Sequence, residues 1–200
     1  MTSPQLAIVY VETLPASTFD EFRRVVGHEN LALEVESRPE FGPMAGVEWL
    51  LPTSVFVYLG KSYFDGFLKE MGKDHYALLK TGLISLYSAL LGPTAPKVQV
   101  ISTAGKVSKN RRYSLLYSVI AEADAGLKFK LLLPQSNTAA EYEATLVAFL
   151  AFLEHFYGST LDEATIARIS SVRPMSGTIL VCYNPETGLI EPVDPMQRDA

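Results

Sequence analysis

Apolar and polar positions alternate along the first forty residues in a way that predicts two strands and a helix. Gln5–Val11 is apolar on both faces, which is typical of a central strand. Leu31–Arg38 alternates apolar with charged residues, as a half-exposed strand does. Between them, Thr18–Gly27 has helical spacing, with Arg23 and Arg24 on its polar side. The pattern therefore predicts a β-α-β unit.

The stretch from Trp49 to Gly92 combines the most apolar surface with a clear helical period. Its second half predicts a helix that begins at Asp74, whose carboxylate can accept hydrogen bonds from the first turn, and that ends at Gly92. The helix before it is expected to close at Gly72. The two helices would then form an αα-hairpin.

Residues 52–60, at the start of this stretch, allow two interpretations. In the first, Pro52 occupies the first turn of a helix, where its missing N–H costs nothing. In the second, Ser54–Leu59 is a buried strand that turns at Gly60 into a shorter helix. The helix is preferred because the apolar stripe runs through Gly60 without a break.

A membrane span is not expected from the same stretch. No acidic or basic residue occurs in 49–60 or in 81–96. Both runs are nevertheless shorter than the roughly 20 residues that a spanning helix needs. Buried core helices are the preferred interpretation.

The chain changes to a sheet pattern after Pro96. Three strand-like runs, Lys97–Thr103, Arg112–Ala123 and Leu127–Leu133, predict an antiparallel meander. The last two are separated by Asp-Ala-Gly at 124–126, which is a plausible hairpin turn.

Two capping boxes mark helices in the last third of the chain. Thr138 with Glu141 opens a helix whose uncharged run Ala144–Leu153 predicts a buried spine of the core. Thr160 with Glu163 predicts the start of a second, shorter helix.

Thr178–Asn184 and Leu189–Val193 flank the turn sequence Pro-Glu-Thr-Gly and predict a terminal hairpin. Together the elements predict an α+β fold: one domain over 1–194, with a mixed, mainly antiparallel sheet and packed helices including the αα-hairpin. Residues 195–200 are expected to be a frayed tail.

Composition indicates the partners and the location to expect for this fold. The 200 residues are 48% hydrophobic with a mean hydropathy of +0.15, which favours a subunit interface. A net charge of −5 argues against a general nucleic-acid binder. Cys182 is the only cysteine, and its apolar surroundings favour a buried structural thiol. With no secretory leader pattern at the N-terminus, the expected location is the cytoplasm.

No motif for catalysis, a cofactor or a metal is found. Gly60-Lys61-Ser62 and Gly72-Lys73-Asp74 lack the spacing of a phosphate loop and lie inside helical pattern. The three histidines are far apart and have no zinc spacing. Glu70, Asp74 and His75 are close in sequence, and we interpret them as a solvated turn. The sequence therefore predicts no catalytic residue, no metal ligand and no cofactor.

Charge is distributed unevenly. Residues 97–130 contain seven basic residues against Glu122 and Asp124, so the rest of the chain is strongly acidic. The segment 105–113 is the candidate site for an anion or an acidic partner: Lys106, Lys109, Arg111, Arg112 and Tyr113. A solubilising loop is the simpler interpretation of the same residues. Self-association of this basic loop with the acidic N-terminal third of the chain is a third interpretation.

These features fit three functions. The leading hypothesis is a non-catalytic cytosolic protein-interaction module, an accessory or immunity-type subunit of a homo-oligomer or larger complex. Its predicted interaction surface comprises Trp49, Phe56, Tyr63, Phe64 and Phe67. The first alternative is a phosphate- or nucleotide-binding protein or enzyme that uses the basic 105–113 loop. The second is a membrane-active effector that uses the 49–91 hairpin.

Overall fold

The computed structural model describes residues 4–40, 53–71, 73–92, 95 and 112–194. The strands are β1 (Leu6–Val11), β2 (Leu33–Arg38), β3 (Val55–Leu59), β4 (Tyr117–Glu122), β5 (Lys128–Leu131), β6 (Thr178–Asn184) and β7 (Leu189–Pro192). The helices are α1 (Asp20–Val26), α2 (Leu68–Met71), α3 (Lys73–Leu91), α4 (Ala139–Tyr157) and α5 (Glu163–Ser171). A π-helical segment, Tyr63–Phe67, leads directly into α2.

The described strands form one 7-stranded sheet in the order β2-β1-β3-β4-β5-β6-β7. Parallel and antiparallel neighbours alternate across it, beginning with the parallel pair β1 and β2. The predicted α+β class with a mixed sheet is confirmed, and antiparallel pairs are balanced by parallel ones rather than predominating. The β-α-β unit, the β4–β5 hairpin and the terminal β6–β7 hairpin are also confirmed.

One face of the sheet carries the core. Its side chains line up in continuous rows across the strands, such as the row Val35, Ile8, Val57, Val119, Leu131 and Val181. The buried side chains of α1, α3 and α4 belong to the same core cluster. Since burying one large aliphatic side chain is worth about 1.5–3 kcal/mol, these rows hold the helical layer against the sheet.

The preferred helical interpretation of residues 52–60 is wrong, and the strand interpretation is confirmed. β3 lies between antiparallel β1 and parallel β4, so both edges of its backbone are hydrogen-bonded. Its β-branched Val55 and Val57 face the core. At Gly60 a Cβ atom would lie only 2.9 Å from the Pro4 carbonyl oxygen, so glycine permits the turn from β3 into the next helix.

The capping box at Thr138 is confirmed. Its hydroxyl accepts a hydrogen bond from the Glu141 amide (3.2 Å), and the Glu141 carboxylate accepts one from the Thr138 amide (2.7 Å). The middle of α4 is buried as expected, including Leu146, Phe149 and Leu150.

The second predicted capping box is wrong. Asp162 caps α5, because its carboxylate accepts a hydrogen bond from the Thr165 amide at 2.9 Å. Thr160 instead pairs its hydroxyl with the ring of His155. The helix therefore begins two residues later than a box at Thr160 requires.

Several predicted features lie wholly or partly outside the described residues. They are Lys97–Thr103, Gly72 at the hairpin junction, and the 195–200 tail. Of the predicted strand Arg112–Ala123, Tyr117–Glu122 forms β4, and Tyr113 forms an isolated bridge to Pro134. Among the described helices, none combines the length and the apolar character that crossing a bilayer requires.

Candidate functional site

An open groove of about 520 Å³ lies where the π-helical segment, α2, α3 and the end of α4 meet. β3 leads into the π-helical segment, and β4 is tied to α4 because the Tyr157 hydroxyl donates a hydrogen bond to the Glu122 carbonyl oxygen. β3 and β4 are parallel, so their carboxyl ends meet at one edge of the sheet. This edge is a preferred position for ligands in sheets with helices packed on them. The groove is lined by Phe64, Asp65, Leu68, Lys69, Tyr76, Glu154, Tyr157 and Gly158.

Aromatic side chains form the apolar wall of the groove. The rings of Phe64 and Tyr157 stack with centroids 4.6 Å apart and an interplanar angle of 26°. Leu68 and Tyr76 are half-buried beside them. Phe64 itself is buried, so the apolar surface that stays partly accessible belongs to Leu68, Tyr76 and Tyr157.

Glu122 organises the edge behind the groove. Its carboxylate accepts hydrogen bonds from the Tyr58 hydroxyl (3.0 Å) and from the Lys61 amide (2.9 Å). The ammonium of Lys61 in turn pairs with Asp124 at 2.7 Å. A carboxylate therefore already occupies the N-terminal end of the helical turn at Lys61, the position that a bound anion would take.

The sequence pattern had placed Gly60-Lys61-Ser62 inside a helix. In the structure this segment instead joins a strand to a helix. The segment does not form a phosphate loop in the structure either, because the Lys61 amide is hydrogen-bonded to the Glu122 carboxylate.

The tyrosine hydroxyls of this region stay protonated. Burial, followed by the Glu122 carboxylate, raises the pKa of Tyr58 to about 12. Burial also raises the pKa of Tyr157, reinforced by the charges of Glu122 and Asp65. The pKa of Tyr76 is raised by burial and then by Glu154. These phenols act as hydrogen-bond donors and contact surface near neutral pH, since the raised pKa values lie even further above neutrality than that of an ordinary tyrosine.

The rim of the groove is acidic on two sides. Asp65 projects from the π-helical segment, where Lys69 approaches it at 3.8 Å. Glu154 projects from the last turn of α4 and, among the described residues, has no ion-pair partner. Gly158, which caps the C-terminus of α4, also lines the groove.

His75 lies beside this region, and the predicted solvated turn is wrong for it. The ring is only 2% exposed. Its Nε2 lies 2.9 Å from the Val26 carbonyl oxygen and its Nδ1 lies 3.0 Å from the Tyr63 hydroxyl. A carbonyl oxygen can only accept, so Nε2 carries the proton and Nδ1 accepts from Tyr63. Burial lowers the pKa of His75, which keeps the ring neutral. Asp74, its neighbour, is exposed as expected.

The basic 105–113 site is only partly within the described residues: Lys106, Lys109 and Arg111 lie outside them. The Arg112 guanidinium sits 5.3 Å from the centroid of the Tyr113 ring. Tyr113 is 3% exposed and packs in a small second cluster with Leu132 and Leu180. It also hydrogen-bonds the thiol of half-buried Cys182, whose pKa burial raises. The anion or partner site stays a prediction.

The predicted interaction surface also stays a prediction. Trp49 lies outside the described residues, and Phe56 is half-buried beneath the Arg38 guanidinium. The structure places Tyr63, Phe64 and Phe67 in the core cluster. Of these, Phe64 alone lines the groove.

Within the described ranges, no three His, Cys, Asp or Glu residues come close enough to hold a metal ion. No protein-family model, no curated protein sequence and no solved structure matches the chain.

The sequence pattern did not predict a place in the site for Asp65, Tyr76, Glu154 or Tyr157. A partial signal was present, since Glu154 is the first charge after the uncharged run of α4 and therefore marks where that helix leaves the core. Because residues 52–60 were predicted to be a helix, the parallel β3–β4 pair was not predicted. The edge of the sheet where the groove residues gather was therefore not predicted either.

Proposed function

We propose that the protein is a non-catalytic protein-interaction module of the cytoplasm, that it acts as a subunit of an oligomer or larger complex, and that the groove receives its partner. The observation that carries this proposal is the groove of about 520 Å³, which has an apolar wall of Phe64 and the half-buried Tyr76 and Tyr157, and a charged rim. An apolar centre with a polar rim is the usual anatomy of a protein interface.

The hydrogen bonds behind the groove support binding over chemistry. The hydroxyl of Tyr157 is held by the Glu122 carbonyl oxygen, and the Glu122 carboxylate is held by Tyr58 and Lys61. The first of these bonds fixes α4 against β4, and the other two fix β3 and the turn after it against β4. What remains directed at the groove is ring surface, the side chain of Leu68 and the rim charges.

Native mass spectrometry of the protein purified gently from its own cells tests the proposal. The wild-type chain is compared with Leu68→Gln, which makes the groove wall polar, and with the matched control Leu78→Gln. Leu78 is 44% exposed on α3 and does not line the groove, so its substitution makes the same chemical change elsewhere.

We expect the wild type and Leu78→Gln to carry additional protein mass, either a second 22.0 kDa chain or another protein, and Leu68→Gln to lose it. A wild-type species of 22.0 kDa alone would contradict the proposal. A complex that all three proteins retain would show that the partner does not bind in the groove. Circular dichroism on Leu68→Gln checks that the variant is folded.

A further inference from the structure

The charges around the groove indicate which chemistry a partner presents to it. We infer that the groove binds a lysine or arginine side chain of a partner peptide, with the aliphatic stem against the aromatic wall and the cationic head at the acidic rim. This inference rests on the proposed function and specifies the partner of that same site.

Two carboxylates from different elements define the cationic end. Asp65 comes from the π-helical segment and Glu154 from α4, so two separate elements each contribute a carboxylate to the lining. Glu154 has no cation of its own among the described residues, and the Asp65–Lys69 pair is long at 3.8 Å. A cation that enters between them gains attraction to both.

The end of α4 adds a further contribution of the same sign. The C-terminus of a helix carries a partial negative charge because its last carbonyl groups lack helical partners. α4 runs over Ala139–Tyr157, and its capping residue Gly158 is part of the groove lining. A lysine or arginine head group at this position is therefore favoured over a carboxylate or a phosphate.

The aromatic wall suits the rest of such a side chain. Lysine and arginine bury their methylene stems on apolar surface while the charged head stays near water. The faces of Tyr76 and Tyr157 also attract a cation, by about 0.5–2 kcal/mol in proteins generally. Lys69 is the one basic residue of the lining, and its side chain is 72% exposed, so it can turn towards solvent when a partner cation enters.

The test uses isotope-labelled full-length protein and three small probes followed by amide NMR shifts. The probes are Nα-acetyl-arginine N-methylamide, the norleucine analogue with an uncharged chain, and the glutamate analogue. We expect the arginine probe to shift the amides of Asp65, Leu68, Glu154 and Gly158 in a saturable way. It should bind at least about fivefold more tightly than the norleucine probe, and the glutamate probe should give no saturable shift.

Glu154→Gln and Asp65→Asn provide the site-specific arm. Each should weaken arginine binding about threefold, and the double variant about tenfold, while norleucine binding stays unchanged. Glu186→Gln is the matched control, because it removes one carboxylate from the exposed β6–β7 turn. It should leave the affinity for arginine as it is. An equal effect of Glu186→Gln would show that net charge alone is responsible and would overturn the inference.

The failure of this inference is distinguishable from the failure of the proposed function. Equal affinity for the arginine and norleucine probes overturns the cationic inference but leaves the groove as an apolar docking site. Absence of shifts from all three probes, with a complex that is still lost in Leu68→Gln, also overturns it. A lone 22.0 kDa species with saturable arginine binding overturns the interaction module and retains the cation site.

Discussion

Tyr63 and Phe64 are neighbours in sequence, but their rings serve two different regions of the molecule. The ring of Tyr63 is fully buried, and its hydroxyl reaches the His75 ring at 3.0 Å. The ring of Phe64 lies at right angles to it and stacks on Tyr157 at the wall of the groove. The π-helical segment that contains both residues directs one ring into the core and the other to the groove.

The two regions differ in whether their polar atoms are already satisfied. In the buried region, Tyr63, His75 and the Val26 carbonyl oxygen form a closed chain of hydrogen bonds. In the groove, Glu154 has no ionic partner among the described residues. Tyr63 and His75 are buried, where an unmade hydrogen bond carries a large cost, whereas Glu154 is exposed to water and can lack a protein partner at little cost.

The largest effect is expected from His75→Ala. The change removes a buried ring and leaves the Val26 carbonyl and the Tyr63 hydroxyl without partners, so the free energy of unfolding should fall by about 3–5 kcal/mol. Urea denaturation followed by circular dichroism measures it. His28→Ala is the control, since His28 is half-buried nearby, and it should cost less than about 1 kcal/mol. Equal losses in both variants would show that the buried hydrogen bonds of His75 have no special weight.

A paired substitution compares the two regions directly. Tyr63→Phe leaves the buried Nδ1 of His75 without a donor and should cost about 1–3 kcal/mol. Tyr157→Phe removes a hydrogen bond to the Glu122 carbonyl oxygen at the edge of the groove and should cost about 1 kcal/mol. Thermal and urea denaturation of both variants show which substitution lowers the free energy of unfolding more. The reverse order would mean that the groove edge is the more strongly coupled of the two.

The pH dependence of stability should originate in the buried region. Burial lowers the pKa of His75 in the folded protein below its unfolded value of about 6.5. The unfolded chain therefore binds the proton first, so the stability contribution is complete above about pH 6.5 and is lost as the pH falls below it. A single site changes the unfolding free energy by at most about 1.4 kcal/mol per pH unit.

Urea midpoints between pH 7.5 and pH 5 check this expectation. The slope should be steeper in the wild type than in His75→Asn, whatever the absolute stability of the variant. His28→Asn, which leaves His75 in place, should keep most of the slope. A wild-type midpoint that does not fall in this window would contradict the assignment.

The smallest effect on stability is expected at the groove rim. Glu154→Gln should change the free energy of unfolding by no more than about 0.5 kcal/mol, because the side chain is exposed and makes no ion pair among the described residues. Thermal denaturation of the variant and of the wild type measures this difference in the free energy of unfolding. A large destabilisation would place Glu154 with the structural residues and weaken its role as a binding group.

Local signals in the sequence predicted the elements that depend on nearby residues alone. The capping box at Thr138 works through two hydrogen bonds three residues apart, and the Asp-Ala-Gly turn works through backbone angles that Ala125 and Gly126 adopt, with φ of 58° and 77°. The box at Thr160 failed because Asp162 offers a carboxylate at a competing position two residues later. The candidate groove was not predictable in this way, since its residues come from two parts of the chain, 64–76 and 154–158, that are far apart in sequence.

The sequence by itself determined the α+β class, the opening β-α-β unit, the two described hairpins and the buried spine in α4, since each is set by a hydrophobic period or a short turn. Only the tertiary structure decided that Ser54–Leu59 contains a strand, because its apolar stripe fits a helix until β1 and β4 pair with both of its edges. The environment of His75 was decided in the same way, by the Val26 carbonyl of a distant helix. Backbone pairing and burial depend on neighbours brought together by the fold, and no local period specifies those neighbours.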